Sequence, residues 1–153
     1  MNIKISKLNK EDLDNIIEIE NRVFTLPWTK FDFEMLLKEP AVNLVLKDEE
    51  TKNIIGYLCS ILQSSDFIHL LNFVIDVKYQ NQGWGTRFLY FFIYEILFPA
   101  GVTKIILEVR ESNKSAIALY HKFGFKGIDR YKNYYQKPKE DALVMFFETK
   151  KPR

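Results

Sequence analysis

Residues 67–98 read FIHLLNFVIDVKYQNQGWGTRFLYFFIYEILF. The first part, Phe67–Val77, is rich in aromatic and branched aliphatic residues and predicts a strand. Gln80-Asn81-Gln82-Gly83-Trp84-Gly85-Thr86 follows, and then an apolar, aromatic run to Phe98 that predicts a core helix, stopped by Pro99-Ala100-Gly101. Glycines at 83 and 85 let backbone N–H groups approach an anion where a helix begins, and the helix dipole favours negative charge there. The loop is therefore either a seat for a phosphate-bearing ligand or a tight strand-to-helix turn. It satisfies neither GxxxxGK[ST] nor GxGxxG, since Arg87 and Phe88 stand where the third glycine is due, which weakens ATP and NAD readings.

Working outward from this loop, Ile3 and Ile5 alternate with Lys4 as a strand does, and Asn9 offers a cap for a helix running to about Arg22. Leu13, Ile16 and Ile17 form its apolar stripe, and the same spacing lands on Glu20, a carboxylate where a hydrophobe is expected. It meets either a basic group of a substrate or a neighbouring helix. Pro27 breaks the chain, and Thr29 with Asp32 resembles a capping box for a second helix. Val42–Lys47 and Ile54–Leu62 read as strands joined by a polar turn. Beyond the loop, Lys104–Val109 predicts a strand, and Ser112 or Asn113 caps a helix that ends at Gly124. Two last strands are expected near Phe125–Tyr134 and Ala142–Glu148. The order is βααβββαβαββ, an α/β fold with a mixed sheet flanked by helices.

A chain of 153 residues that is 47% hydrophobic and 27% charged fits one domain, taken as 1–149 with a tail at 150–153. A net charge of +2 is too small for general nucleic-acid or membrane binding. Lone Cys59 rules out an internal disulfide, and its apolar strand setting marks it as structural. His69 and His121 lack ligand-like spacing, so no metal is expected. The N-terminus carries no secretory pattern, and Phe88–Phe98 is too short to span a bilayer, which together predict a cytoplasmic protein.

Glu108 lies in Ile105-Ile106-Leu107-Glu108-Val109, on the same strand face as Ile106 and Arg110. A carboxylate among apolar neighbours suits general-base work, and the competing reading is an ion pair with Arg110 or an exposed strand end. Asn113 is a helix cap or a ligand contact, and Tyr120 a core ring or an acid. Trp28, Tyr134 and Tyr135 either pack at turns or line a groove for a peptide.

Taken together, these segments resemble a known family. Gln80-x-x-Gly83-x-Gly85 after a strand is similar to the acetyl-CoA loop of the GCN5-related N-acetyltransferases (GNAT), whose element order matches from Ile3 to Glu148. Pro27-Trp28-Thr29, Leu107-Glu108-Val109-Arg110-x-Ser112-Asn113-x-x-Ala116-Ile117-x-Leu119-Tyr120, Phe123-Gly124-Phe125, Arg130-x-x-Asn133-Tyr134-Tyr135 and Glu140-Asp141-Ala142-x-x-Met145 resemble the bacterial ribosomal-protein-alanine N-acetyltransferases (RimI type). The aromatic helix and Phe98-Pro99-Ala100 depart from that pattern.

The resemblance implies a sheet splayed near Phe73–Ile75 and Lys104–Val109, with Glu108 as general base and Tyr120 as general acid. It implies acetyl-CoA as cosubstrate, its acetyl and pantetheine portions on the backbone of Phe73, Val74 and Ile75. The pyrophosphate falls to the loop of Gln80, Gln82, Gly83, Trp84, Gly85, Thr86 and Arg87, with Asn113 a further cofactor contact. Trp28, Tyr134 and Tyr135 become substrate contacts, and the acceptor the N-terminal alanine of a ribosomal protein. An α-amine ionises near 7.7–8.0 and lysine near 10.4, so a carboxylate base of modest strength suffices for the former. Two alternatives stand: an enzyme of the same fold acetylating lysine or a small amine, and a noncatalytic acyl-CoA sensor, which needs neither Glu108 nor Tyr120.

Overall fold

The structure, a computed structural model, describes residues 1–149; the tail assigned to 150–153 lies outside the described residues. In chain order the elements are β1 (Ile3–Lys7), α1 (Leu13–Val23), α2 (Lys30–Leu36), β2 (Ala41–Asp48), β3 (Ile54–Ser64), β4 (Phe67–Ile75), α3 (Trp84–Tyr90), β5 (Lys104–Arg110), α4 (Lys114–Phe123), β6 (Lys126–Tyr135) and β7 (Glu140–Glu148). This is the expected order, in a seven-stranded sheet ordered β1-β2-β3-β4-β5-β7-β6. Antiparallel pairing joins β1 to β2, β2 to β3, β5 to β7 and β6 to β7. β4 pairs with β5 in parallel from Phe67↔Lys104 to His69↔Ile106, and the short run is the splay that the resemblance implies.

Local chemistry explains the helix ends. Thr29 Oγ1 accepts from the N–H of Asp32 at 3.2 Å while Asp32 Oδ2 accepts from the N–H of Thr29 at 2.8 Å, the reciprocal capping box that starts α2. Asn113 Oδ1 accepts from the N–H of Ala116 at 3.2 Å and starts α4. That helix stops where Gly124 turns left-handed at φ 101°. Two expectations need correction. The strand expected to reach Val77 ends at Ile75, because buried Asp76 is drawn into an ion pair with Arg22 at 2.9 Å and the chain turns into a short 3-10 segment at Val77–Tyr79. The helix expected to run regularly to Phe98 is α-helical only to Tyr90 and widens to a π-helix over Phe91–Leu97, where Phe98 N–H donates to Ile93 O, five residues back.

The chain forms two compact units. The first comprises Met1–Ile61 and Leu71–Leu89. Its core joins Leu13, Ile16 and Ile19 of α1 to Phe33 and Leu36 of α2, Val45, Tyr57, Cys59 and Val74. Ile19, rather than Ile17, completes the buried stripe of α1, beside Glu20. Gly56 of β3 permits a close approach here: a Cβ at this position stands 2.5 Å from the carbonyl oxygen of Val74. Gly56→Ala therefore pushes against backbone, and we expect it to destabilise the protein by about 1–3 kcal/mol, as overpacking does. Thermal unfolding checks this, with a melting temperature lower by several degrees.

The second unit comprises Leu62–Leu70 and the chain from Tyr90 onward. Ile105, Leu107 and Val109 are buried along β5, as are Ala142, Val144, Met145 and Phe147 on β7. The intervening β5 residues Ile106, Glu108 and Arg110 share the other, partly exposed face. β6 is an edge strand exposed along nearly its whole length, and its register with β7 shifts between Tyr131↔Ala142 and Tyr135↔Glu140. Asn133, with φ 54°, takes part in this bulge and donates its N–H to Asp141 Oδ1 at 2.8 Å.

Candidate functional site

In the second unit, polar side chains from β4, β5, β6 and β7 converge. Glu108 projects from the partly exposed face of β5 with its side chain 14% exposed. Its Oε2 lies 2.6 Å from His69 Nε2 of β4, whose side chain is 27% exposed. Arg110 does not pair with Glu108, which removes that alternative. Its guanidinium instead donates to Glu140 Oε1 at 3.1 Å and to the carbonyls of Pro138 and Gln136, and Glu140 Oε2 accepts from the N–H of Ser112 at 2.6 Å. Arg110 thus ties the β6–β7 turn to β5, and it also lies 4.4 Å from the centre of the Tyr135 ring.

The bulge in β6 turns two aromatic residues toward this carboxylate. Burial, followed by the negative charge of Glu108, raises the pKa of Tyr134 above the ordinary phenol value. Tyr135, whose ring meets that of Tyr134 edge-on at 5.0 Å, is pushed up to about 12, first by burial and then by Tyr134 and Glu108. Tyr120 of α4 is 7% exposed and packs on Phe125 at 5.4 Å between ring centres. Burial, with a smaller contribution from Tyr135, raises its pKa well above that of free phenol. All three hydroxyls therefore keep their protons at neutral pH and are able to donate. Of the expected site, the structure brings Tyr134 and Tyr135 to Glu108, and Tyr120 to Tyr135.

Asn113, in the same unit, is the cap of α4, so its oxygen is engaged with Ala116 N–H and Ser115 Oγ. Its amide N–H groups are the part suited to a ligand.

The first unit holds the other expected residues. Phe73, Val74 and Ile75 end β4; Phe73 meets Phe88 edge-on at 5.7 Å, and Val74 is buried. Gln80 Nε2 donates to Ile75 O at 2.9 Å, and Gln82 Nε2 to Lys78 O at 3.3 Å, so both side chains brace the loop from within. Gly83 has φ 86°, and a Cβ there would meet nothing within 4 Å, so its surroundings are open and its conformation is one that L side chains rarely adopt. Arg87 N–H donates to Gly83 O at 3.2 Å and closes the first helical turn. The N–H groups of Trp84, Gly85 and Thr86 precede that bond and have no helical acceptor, the arrangement an anion requires. The Arg87 guanidinium lies 4.8 Å from the Trp84 ring centre.

Trp28 packs against Phe33 at 5.1 Å and lines a cavity of about 400 Å³ with Asp32, Met35, Leu36, Glu39, Ile61 and Leu71. Its backbone is held by Glu20, which is 1% exposed. Glu20 Oε2 accepts from Trp28 N–H at 2.9 Å, while Oε1 accepts from Tyr57 Oη at 2.6 Å and Asn72 Nδ2 at 2.9 Å. Every one of these donors is neutral. Glu20 is therefore an internal anchor rather than a group presented to a basic substrate.

Three participants escape the sequence reading. His69 was weighed only as a metal ligand; the parallel register that sets it beside β5 leaves no trace in local periodicity. Asn72 and Tyr57 are the partners that the misplaced carboxylate at position 20 called for, but they lie 52 and 37 residues away. Among the described residues no group of three or more His, Cys, Asp or Glu is placed to hold a metal ion. No helix among them is long and apolar enough to cross a membrane.

The sequence matches the Acetyltransferase (GNAT) family over residues 13–125. The ribosomal protein bS18-alanine N-acetyltransferase of Haemophilus influenzae is 38% identical over 145 residues, 92% of this chain and 95% of that protein. The crystal structure of the ribosomal-protein-S18-alanine N-acetyltransferase from Escherichia coli is similar with a TM-score of 0.86 at 33% identity, covering 95% of this chain and 93% of that one. A GNAT family acetyltransferase from Elizabethkingia anophelis with acetyl-CoA bound shares the fold, with a TM-score of 0.75 at 20% identity over 97% of this chain and 99% of that one.

Proposed function

Because the chain belongs to the Acetyltransferase (GNAT) family and is an acetyl-CoA-dependent acetyltransferase, we propose that its acceptor is the N-terminal α-amine, on alanine, of a ribosomal protein. The observation that carries this reading is the 38% identity, over more than nine-tenths of both chains, to an enzyme named for that reaction. The family match begins in the first unit and ends in the second, which supports reading residues 1–149 as one acetyltransferase domain. With a ribosomal acceptor the enzyme would act in the cytoplasm.

In this mechanism Glu108 takes a proton from the acceptor ammonium. The freed lone pair attacks the thioester carbonyl carbon, and the C–S bond breaks as the amide forms; the nitrogen's second proton is released in this step and replaces the one that Tyr120 gives up. Tyr120, whose buried hydroxyl retains its proton, protonates the departing thiolate. No covalent acyl-enzyme is required, in keeping with Cys59 being buried, a setting that raises its thiol pKa and keeps it from acting as a nucleophile. Acetyl-CoA supplies an activated acyl group when bound. The residues present suit it: the open N–H groups at the start of α3 fit a pyrophosphate, and the N–H groups of Phe73–Ile75 are the suitable donors on β4, because the Ile75 carbonyl already accepts from Gln80. Asn113 adds an amide donor. Trp28, Tyr134 and Tyr135 would contact the acceptor chain.

The test offers three acceptors with acetyl-CoA: a peptide with the alanine-starting N-terminus of ribosomal protein bS18, the same peptide with its terminus blocked, and a lysine-bearing control. We expect CoA release with the first alone and a single acetyl group on its terminal nitrogen by mass spectrometry. Equal rates with the blocked peptide would overturn the N-terminal assignment. No release with any amine would favour the sensor.

A further inference from the structure

We propose that His69 is a positioning residue for Glu108, holding one carboxylate oxygen so that the other faces the acceptor amine. This rests on Glu108 being the base. The parallel pairing of β4 with β5 sets His69 beside Ile106, and the two-residue repeat of a strand brings Glu108 onto the same face. The resulting Nε2–Oε2 separation of 2.6 Å is at the short end for a charge-assisted hydrogen bond. With the proton of the imidazole on Nε2, His69 donates this bond and Oε2 accepts it.

A glutamate has three side-chain torsions. Left free on a partly exposed strand face, it samples several rotamers, and only one presents an oxygen to the amine. Fixing that rotamer is the advantage that orientation confers on a bimolecular proton transfer. The basic side chains of β5 are engaged elsewhere. Arg110 of β5 is committed to Glu140 of β7, and Lys104 pairs with Asp66 at 3.3 Å. Tyr134 of β6 also hydrogen-bonds Glu108 and Tyr135 lies near it, but Tyr134 stands within the register shift between Tyr131 and Tyr135, whereas His69 stands on a paired strand. The proton balance is unchanged by His69: the ammonium proton passes to the free oxygen of Glu108 and then to water.

The experiment compares wild type, His69→Leu, His69→Gln, Glu108→Gln and the double variant His69→Leu/Glu108→Gln. Each is assayed with acetyl-CoA and the alanine-starting peptide between about pH 6 and 9.5, alongside thermal unfolding. We expect His69→Leu to lower kcat by about 10-fold near neutrality with KM values little changed. His69→Gln, which retains an N–H donor, should recover much of that loss. The double variant should be no slower than Glu108→Gln, because His69 acts through Glu108. Losses that multiply in the double variant, or a wild-type kcat and pH profile in His69→Leu, overturn the proposal. So does a His69→Gln protein that is as slow as His69→Leu. If His69→Leu fails to fold, His69→Ala takes its place with the same expectations. Wild-type turnover in Glu108→Gln shows instead that the base assignment itself has failed.

Discussion

Replacing Glu108 with glutamine lowers turnover by about 10²–10⁴-fold near pH 7, the range that a positioned general base contributes. The amide has the size of the carboxylate, and its oxygen still accepts from His69, so the side chain stays in place and the melting temperature should move little. What it lacks is affinity for a proton. An α-ammonium ionises near 7.7–8.0, so below about pH 8 nearly all acceptor arrives charged and needs a base. At about pH 9.5 most of it arrives neutral, and the variant should regain a large part of the deficit. Rates of CoA release for both proteins across pH, with the alanine-starting peptide, check this. A deficit that is the same at every pH would assign Glu108 to binding, and superimposable profiles would remove it from the mechanism.

Tyr120→Phe tests the other proton. The ring remains packed against Phe125, only the hydroxyl is lost, and turnover should fall by about 10²-fold with affinity for acetyl-CoA retained. The pH signature differs from that of Glu108. Burial raises the Tyr120 pKa, so the protonated, acid-competent form persists above the ordinary phenol value of about 10. The wild-type enzyme therefore shows no loss of its acid up to about pH 10, and the ratio of wild type to variant stays flat while that of Glu108→Gln converges. Steady-state kinetics with calorimetric titration of acetyl-CoA separate turnover from binding. Unchanged turnover would make Tyr120 a core ring.

Much of the architecture was legible because local signals agreed. Thr29 with Asp32, and Asn113 with Gly124, mark helix ends by hydrogen bonds confined to a few residues, and the sequence carries such bonds on its face. Alternation along Lys104–Arg110 put Glu108 on the right strand face for the same reason. The π-helical turn was hidden: seven residues that are apolar nearly all round look alike at 3.6 and at 4.4 residues per turn. Strand register was hidden too. His69 meets Glu108 only because β4 and β5 pair in parallel at one offset, which no local pattern records. Glu20 was legible as an anomaly and illegible as a solution, since its donors at Tyr57 and Asn72 come from strands far along the chain.

The buried Glu20 carboxylate also constrains how the enzyme's acceptor range can be altered. It fastens the backbone of Trp28 to β3 and β4, through bonds to Tyr57 and Asn72 that are themselves buried. Shifting the α1–α2 connection would break the bond to the Trp28 N–H and leave a buried carboxylate oxygen without its donor, a penalty of about 1–3 kcal/mol. Selection or engineering for a different terminal residue is thereby steered toward exchanging the Trp28 ring and its neighbours in place. Lengthening or rerouting the loop would require replacing positions 20, 57 and 72 together, so it lies several coordinated substitutions away while a changed side chain lies only one.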